Sequence, residues 1–429
     1  MRFVIDFTYL LAAIAVSPLF LYRMVRYKRY RSGWAQRFGK ITRKYPQKKC
    51  VWLHAVSLGE VNASKTIIER LEEKSGDFEI MVSTTTDTGF ARANALFGGR
   101  HTVIYFPFDF SWIMRRAFAN IRPAICLLME LEVWPNFVQI ARRLNVPVIV
   151  VNGRISERSF SRYKKIMPIA KSIFQKITLI LAQTEEYARR FRQIGASGEK
   201  VIVTGSLKYD TAQITDKVKG AYALAAELGI DDERLWVAGG TGDNEEKIVL
   251  EVYKNLKQQK QLSDLRLVIV PRKPERFDEV AQLIEQNGLS SIRYSKVKNG
   301  KQSPPQDKPS VILGDTMGDL RKFYSLATII FVGRSLVPMG GSDMTEAAAL
   351  GKCTIFGPHT FNFKQTVDAL LAGNGAILVK DKEDLLETMR KCLNDAGFAR
   401  TIARNGQDVI RKNQGATAKT IEQIEKFLG

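Results

Sequence analysis

From residue 50 onward, short runs of apolar and mostly β-branched residues alternate with longer segments of helical periodicity. The runs are apolar along their whole length, which suits strands buried on both faces, and such strands form parallel sheets covered by helices. Thirteen runs of this kind lie at 50–56, 79–84, 102–106, 124–129, 147–152, 178–183, 201–205, 235–240, 265–271, 310–314, 328–333, 353–357 and 376–380. The alternation predicts an α/β protein with two doubly wound, Rossmann-like sheets.

The length of the chain also favours two domains, because 429 residues are too many for one hydrophobic core. We expect residues 50–210 to form the first domain and residues 232–429 the second. Residues 211–231 are polar at their start and show no clear strand, so they are predicted to be a linker. Ligands of open α/β sheets bind at the carboxyl ends of the strands, and we therefore expect a ligand-binding cleft between the two domains.

Residues 1–49 have a composition of their own. Residues 3–22 are apolar except for Asp6, and about twenty such residues suffice for a helix to cross or enter the hydrocarbon of a bilayer. Residues 23–49 are rich in Lys and Arg and contain no Asp or Glu, within a chain whose formal net charge is +21. We interpret the pair as a membrane anchor followed by a basic juxtamembrane segment that binds an anionic lipid surface, with the two domains on the cytoplasmic side.

Two other interpretations of the same residues are weaker. A cleaved signal peptide is possible from Ala13-Ile14-Ala15, but the apolar run continues past this site and a dense positive cluster opposes translocation. Nucleic-acid binding fits the isoelectric point near 9.7, but no nucleic-acid module is recognisable in the sequence. We therefore expect a lipid surface as the partner, and no nucleic acid.

Motifs for nucleotide cofactors and metals are missing from the sequence. There is no GxxxxGK[ST] loop and no GxGxxG that opens a helix after the first strand, which disfavours an ATPase or a dinucleotide-dependent dehydrogenase. The four cysteines form no CxxC pair, and the three histidines are far apart. These residues are Cys50, Cys126, Cys353, Cys392, His54, His101 and His359. We expect buried core cysteines in a reducing compartment, structural histidines, and neither a metal nor a cofactor.

Loops that follow predicted strands of the second half carry groups suited to a nucleotide. Arg272 stands between two prolines that stiffen its turn, a good arrangement for holding a guanidinium toward a phosphate. Residues 317–320 follow another strand, and Gly340-Gly341 permits close approach of the backbone to a ligand. A helix starting near Glu346 is expected to direct its N–H groups at an anion, with Ser342 or Thr345 as the cap. Each signal alone fits a plain turn equally well, and their occurrence on one domain favours a nucleotide.

The first half offers carboxylates in the corresponding loops. Glu60 follows the turn after the first predicted strand, and Glu130 and Glu132 end another strand near Trp134. A glutamate at a helix start often serves only as a cap that interacts with the helix dipole. Because other polar loops converge on the same edge of the predicted sheet, we favour general-base work for Glu60.

These motifs also resemble a known family. The stretches "HAVSLGEVNAS", "MELEVWPN", "NGRISERS", "TGSLKYD", "PRKPERF", "LGDTMGDLRKFY", "GGSDMTEAAALG" and "FGPHTFNF" occur in the order found in the 3-deoxy-D-manno-oct-2-ulosonic acid (Kdo) transferases, and the likeness covers essentially the whole chain. The resemblance implies a GT-B glycosyltransferase with an N-terminal acceptor domain and a C-terminal CMP-Kdo domain. It further implies a metal-independent transfer of Kdo to a lipid A precursor at the inner membrane.

The resemblance also assigns residues. Glu60 matches the family's catalytic base, and Glu130 matches the first acidic residue of its Glu-x-Glu-x-Trp-Pro motif, which is associated with activity. Lys208, Arg272 and Glu346 match positions associated with the CMP part of the donor. The same motifs contain five further residues that we assign to the donor, namely Ser206, Met317, Gly318, Gly341 and Ser342.

The sequence departs from the family pattern in four places. Ser342-Asp343 stands where His-Asn is usual, and Ala347 stands where a proline is expected. Gly240-Thr241-Gly242 replaces Ser-Thr-His, and Gly333-Arg334-Ser335 replaces Gly-Gly-Ser. Two histidines are thus lost from the expected donor side, and an arginine is gained. Two alternatives stay open, a GT-B transferase that uses a UDP-sugar on another membrane lipid and a catalytically inactive membrane-bound relative.

Overall fold

Two parallel seven-stranded sheets organise the chain, one in each of two compact units. The computed structural model describes residues 2–26, 31–74, 78–300 and 308–428. Unit 1 comprises Met1–Thr211 together with Asn413–Gly429, and unit 2 comprises Ala212–Lys412. This division differs from the expected boundaries, because the last residues of the chain belong to unit 1 and the expected linker, apart from Thr211, belongs to unit 2.

The strands of unit 1 are β1 (Lys49–His54), β2 (Phe78–Thr84), β3 (Thr102–Tyr105), β4 (Pro123–Met129), β5 (Val148–Gly153), β6 (Leu179–Ala182) and β7 (Val201–Val203). Their order in the sheet is β3-β2-β1-β4-β5-β6-β7. The helices of this unit are α1 (Arg2–Arg26), α2 (Trp34–Arg37), α3 (Leu58–Lys74), α4 (Asp87–Phe97), α5 (Ser111–Ile121), α6 (Pro135–Arg143), α7 (Glu157–Lys165), α8 (Met167–Phe174), α9 (Glu185–Gln193), α10 (Leu207–Thr211) and α20 (Ala416–Glu425).

The strands of unit 2 are β8 (Leu235–Thr241), β9 (Arg266–Pro271), β10 (Ser291–Arg293), β11 (Val311–Leu313), β12 (Ile329–Val332), β13 (Cys353–Phe356) and β14 (Ile377–Leu378), in the order β10-β11-β9-β8-β12-β13-β14. Its helices are α11 (Ala221–Leu228), α12 (Glu245–Lys257), α13 (Phe277–Gln286), α14 (Tyr294–Lys298), α15 (Leu320–Leu326), α16 (Thr345–Ala349), α17 (Lys364–Ala372), α18 (Lys382–Asn394) and α19 (Ala396–Asn413). Short 3-10 turns lie at Gly198–Lys200, Lys260–Leu262 and Pro274–Arg276.

The prediction of two parallel α/β sheets is confirmed, and each of the thirteen predicted runs contains a strand. Both faces of the first sheet are covered, as the all-apolar runs require. Trp52 packs into one buried cluster, while its neighbours Val51 and Leu53 pack into another. The edge strand β10 was missed, because its three residues contain one buried apolar side chain, Ile292, and therefore give no apolar run.

The apolar N-terminal run forms helix α1, which contains Pro18. Its one acidic residue, Asp6, accepts hydrogen bonds from the backbone N–H of Ser111 (2.9 Å) and the side-chain amide of Asn136 (3.0 Å). Tyr9 donates to the Asp109 carboxylate at 3.0 Å. These polar contacts attach the start of α1 to unit 1. Within the described part of the chain, no helix combines the length and apolarity needed to cross a bilayer. The helix is present, and its role as a membrane anchor stays a prediction.

The C-terminal helix α20 packs against α3 and α10 of unit 1. The Asp210 carboxylate at the end of α10 accepts hydrogen bonds from the backbone N–H groups of Gly415 (2.7 Å) and Thr417 at the start of α20. Thr417 also donates its hydroxyl hydrogen to the Thr66 hydroxyl of α3 at 2.9 Å. The last helix therefore braces the helix that carries Glu60.

We expect Asp210→Ala to loosen α20, because hydrogen bonds to a charged acceptor contribute about 2 kcal/mol. This loss corresponds to an increase of roughly 30-fold in the amide exchange rates of residues 416–425, measured by hydrogen–deuterium exchange in the variant and the wild type. Asp210→Asn keeps one acceptor oxygen and should show a smaller gain. Exchange in α18 of unit 2 is the internal control, and equal acceleration there would contradict a local bracing role.

Candidate active site

Glu60 lies in the first turn of α3, three residues after Ser57. One carboxylate oxygen accepts from the Val56 N–H at 3.0 Å, and the other accepts from the Ser57 hydroxyl at 2.8 Å. The Glu60 N–H donates to the Ser57 hydroxyl oxygen at 3.3 Å. This reciprocal pattern is a variant of the capping box, in which a Ser and a Glu three residues apart satisfy the first N–H groups of a helix. Glu60 is thus a cap, the simpler of the two interpretations of this residue.

The Glu60 carboxylate can accept a proton while it serves as a cap. Each carboxylate oxygen has two lone pairs, and the contacts described use one on each. Only 8% of Glu60 is exposed, and loss of hydration raises the pKa of its carboxyl group. The hydrogen bonds from Val56 and Ser57 oppose that rise, and the Glu130 carboxylate adds to it. A carboxylate with a raised pKa is a stronger base than a free one, which is the property a general base needs.

Glu130 and Glu132 follow β4 and lie at the same edge of the sheet as Glu60, because β4 is the neighbour of β1 and runs parallel to it. Glu130 has a left-handed backbone (φ 53°), and its N–H donates to the Val151 carbonyl at 2.9 Å. Loss of hydration raises the pKa of Glu132 to about 7, with further contributions from the Glu60 and Glu130 charges. The Glu60 and Glu130 carboxylates therefore lie close enough to Glu132 to disfavour its ionisation. Our assignment left out Glu132, although its place in the Glu-x-Glu motif was a signal.

Ser206 and Lys208 lie at the start of α10, also in unit 1. The Asn152 side chain, at the end of β5, accepts from the Leu207 N–H at 3.1 Å and so fixes this helix start. Ser206 is buried and Lys208 is half-buried. The six other residues assigned to the donor belong to unit 2, so the structure divides the predicted donor set between two units.

In unit 2, the buried carboxylate of Glu245 joins two loops at the carboxyl edge of the sheet. It accepts from the N–H groups of Ser335 and Leu336 (both 2.9 Å), of Arg334 (2.5 Å) and of Gly242 (3.3 Å). Loss of hydration raises the pKa of Glu245, and the four hydrogen bonds oppose the rise. The loops after β8 and β12 are therefore held in one fixed arrangement.

The glycine pair lies in the second of these loops. Gly340 and Gly341 both have positive φ (89° and 81°), a conformation that is costly for other residues. The Ser342 hydroxyl donates to the Gly240 carbonyl at 2.8 Å and thereby ties this loop to the end of β8. Helix α16 then begins at Thr345 and has five residues.

The predicted cap of that helix was wrong. Neither Ser342 nor Thr345 supplies it, because the Ser342 hydroxyl is bonded to Gly240. The Asp343 carboxylate instead accepts from the Thr345 N–H at 2.8 Å. Asp343 stands at one of the departures from the family pattern, and the structure gives it this local role.

Arg272 and Glu346 are exposed at the same edge. Arg272 follows β9, and its N–H donates to the Thr241 carbonyl at 3.0 Å. Loss of hydration and the Asp343 charge raise the pKa of Glu346, while Arg321 lowers it. Burial raises the pKa of the Tyr324 hydroxyl, the Glu346 charge raises it further, and the Arg272 charge opposes the rise. Arg272, Glu346 and the glycine loop all lie on the side of the second sheet where its strands end.

Met317 and Gly318 follow β11, the strand next to β9. Met317 is 63% exposed, and Gly318 has a φ of 90°. Their place at the carboxyl edge agrees with the sequence, and their assignment to the donor stays a prediction.

His54 and the four cysteines lie in the buried core. His54 stacks on Phe106 with ring centroids 3.7 Å apart, and burial lowers its pKa to about 3, so it is a neutral core residue. All four cysteines are buried free thiols, as predicted. Among the described residues, no group of three or more His, Cys, Asp or Glu is arranged to hold a metal ion.

Two parallel α/β sheets with polar, glycine-containing loops at their carboxyl edges define a chain with a two-domain, GT-B-like α/β fold. The solved structure of Anabaena Alr3699/HepE in complex with UDP covers 89% of this chain with a TM-score of 0.58 and 13% identity, which shows the fold. The family model for 3-deoxy-D-manno-octulosonic-acid transferase matches residues 32–211.

Curated relatives extend the match over the whole chain. A 3-deoxy-D-manno-octulosonic acid transferase of Haemophilus influenzae is 32% identical over 94% of this chain and 93% of its own length. One from Bordetella pertussis is also 32% identical, over 98% of this chain and 99% of its own length. The chain belongs to the 3-deoxy-D-manno-octulosonic acid transferase family and is a glycosyltransferase.

The raised pKa of Glu132 predicts a pH-dependent stability. The folded state holds this proton up to about pH 7, while an unfolded glutamate releases it near its ordinary pKa. The unfolded state therefore binds fewer protons in that window, and stability falls as the pH rises through it. Thermal denaturation of Glu132→Gln should give a Tm above that of the wild type at pH 8 and a smaller difference at pH 5. Glu199→Gln, at an exposed glutamate of unit 1, is the matched control, and the same pH trend there would reject the assignment.

Proposed function

We propose that this protein transfers Kdo from CMP-Kdo to a sugar hydroxyl of a lipid A precursor, with inversion at the anomeric carbon and Glu60 as the general base. Membership in the family supports the transfer of Kdo. The observation that carries the mechanism is the Glu60 carboxylate, which is fixed by two donors, has free lone pairs and has a raised pKa.

The acceptor oxygen attacks the anomeric carbon of Kdo and gives its proton to Glu60. The bond between that carbon and the phosphate oxygen breaks, and CMP leaves with the electron pair. Because the attack and the departure occur on opposite faces of the sugar, the anomeric configuration inverts. The Glu130 carboxylate keeps the surroundings of Glu60 negative, which favours its acceptance of a proton.

The departing CMP carries negative charge that must be stabilised. Arg272 and Lys208 are the cations we assign to this role, since a positioned cation acts most strongly on charge that develops during the reaction. Glu346 is exposed and can accept hydrogen bonds from sugar hydroxyls. We propose that these side chains replace a metal ion, so that activity is unaffected by EDTA and is not raised by added divalent cations.

We also propose that the protein works at the inner membrane, with its domains in the cytoplasm. Support comes from the apolar surface of α1, where Leu10, Leu11 and Ile14 are each about half exposed or more. The basic stretch 23–49 adds a charge that anionic headgroups attract. Such a tether would keep the enzyme near an acceptor embedded in the bilayer.

Glu60→Gln is the sharpest test of the base. A glutamine can still accept from Val56, so the helix cap is largely kept, whereas it cannot take a proton. We expect at least a hundredfold loss of Kdo transfer with little change in Tm, in line with the usual contribution of a general base. Transfer is measured by mass spectrometry of a defined lipid A precursor supplied with CMP-Kdo.

Glu60→Ala is the companion variant. It removes the cap as well as the base, and we expect an additional loss of stability of about 0.5–2 kcal/mol. Near-normal transfer by Glu60→Gln would reject the proposed base, and equal destabilisation by both variants would show that the cap requires the charge.

Nucleotide preference tests the donor. CMP or CTP should raise the Tm more than UDP or UMP at equal concentration, because only the folded state binds them. A larger response to UDP would favour the UDP-sugar alternative, and no response to any nucleotide would favour an inactive relative.

A further inference from the structure

Two departures from the family pattern meet in space. Gly242, which stands where the family usually has His, lies in the loop after β8, and Arg334, which stands where the family usually has Gly, lies in the loop after β12. A Cβ atom built on Gly242 would lie 3.0 Å from Arg334 Cγ and 2.5 Å from Met339 Sδ. The side chains of Met339 and Arg334 therefore share the space that a side chain at position 242 would need.

The Arg334 backbone is suited to glycine. Its φ of 60° lies in the left-handed region, which costs a non-glycine residue on the order of 1 kcal/mol. The Glu245 carboxylate holds this conformation by accepting the N–H groups of Arg334 and the two following residues. The Arg334 carbonyl in turn accepts from the Gly341 N–H at 2.8 Å. A strained backbone that neighbouring groups keep in place is a common feature of ligand-binding loops.

The Arg334 guanidinium keeps unused donors. One Nη donates to the Met339 carbonyl at 3.1 Å, and Nε is buried without a hydrogen-bond partner. Within the described ranges, no carboxylate forms an ion pair with this side chain, whereas the nearby Arg276 has three carboxylate partners. Arg334 is half-buried and lies in the same loop as Gly341 and Ser342. A partly desolvated guanidinium with free donors matches an anionic oxygen group.

We infer that Arg334 binds an anionic oxygen group of the donor and that it does so in place of a side chain at position 242. The inference rests on the proposed donor site of unit 2. It assigns to this chain a cation that comes from the loop after β12 and occupies the space left open by Gly242. The anion is either the phosphate of the nucleotide or the carboxylate of the sugar acid.

The primary test is Arg334→Gly, with Arg400→Ala as the control. Glycine tolerates the φ of this position, so this variant should be at least as stable as the wild type. Arg400 is an exposed arginine of the same unit on α19, and its removal changes the net charge equally. Calorimetric titrations with CMP and with cytidine, and kcat/KM for CMP-Kdo, are measured for the wild type and both variants.

Loss of a charge-assisted contact should weaken binding by about 10- to 100-fold. If the partner is the phosphate, Arg334→Gly loses CMP affinity by this factor and keeps its cytidine affinity. If the partner is the carboxylate, CMP and cytidine affinities are unchanged and kcat/KM for CMP-Kdo falls by this factor. Unchanged values in all three measurements, or an equal loss in Arg400→Ala, overturn the inference.

A second pair of variants tests whether side chains at positions 242 and 334 compete for the same space. Gly242→His alone should lower both Tm and donor affinity, because its Cβ meets Arg334 and Met339. Gly242→His combined with Arg334→Gly should recover both beyond the sum of the single effects. Additive losses in the double variant contradict the shared space.

Failure of the proposed donor can be separated from failure of this inference. A wild type that binds UDP and uridine instead of the cytidine compounds rejects CMP-Kdo as the donor, and the same Arg334→Gly comparison with UDP and uridine then decides the role of Arg334. A wild type that binds no nucleotide rejects both.

Discussion

The carboxylate of Glu245 is the contact on which the arrangement of unit 2 depends. It has no exposed surface and accepts four backbone N–H groups from two loops that are about ninety residues apart in the chain. An unpaired carboxylate at this depth would be strongly unfavourable, so the four donors and the acceptor stabilise one another. The strained backbone at Arg334 and the glycine pair at 340–341 persist because this group fixes the loop that contains them.

In unit 1, the main electrostatic feature is repulsion between carboxylates. Glu60, Glu130 and Glu132 repel one another, and only part of that repulsion is offset by the N–H and hydroxyl donors around Glu60. A structural cap alone needs one carboxylate and gains nothing from two more beside it. We therefore propose that the cluster raises the proton affinity of Glu60 and that capping holds Glu60 in place.

Local patterns in the sequence were sufficient for the sheets, because strands buried on both faces are apolar throughout. They did not predict β10, whose three residues form a strand at the edge of the sheet. Nor did they predict that α20 packs in unit 1, because this depends on Asp210 and on contacts between residues about two hundred positions apart. Glu60, Arg272 and Glu346 could be selected because each follows a strand. The raised pKa of Glu132 could not be foreseen, since it arises first from burial and then from charges that only the fold brings near.

The departures at 242 and 334 show why a motif compared position by position can mislead. Read along the chain, one loop loses a histidine and another gains an arginine, which suggests a damaged site. In the fold, the two positions compete for the same volume, and a cationic side chain occupies it from the opposite loop. In our proposal the donor site needs a positive group at this point, and either of two loops tied by one carboxylate can supply it. Substitutions in such loops are therefore best judged in pairs.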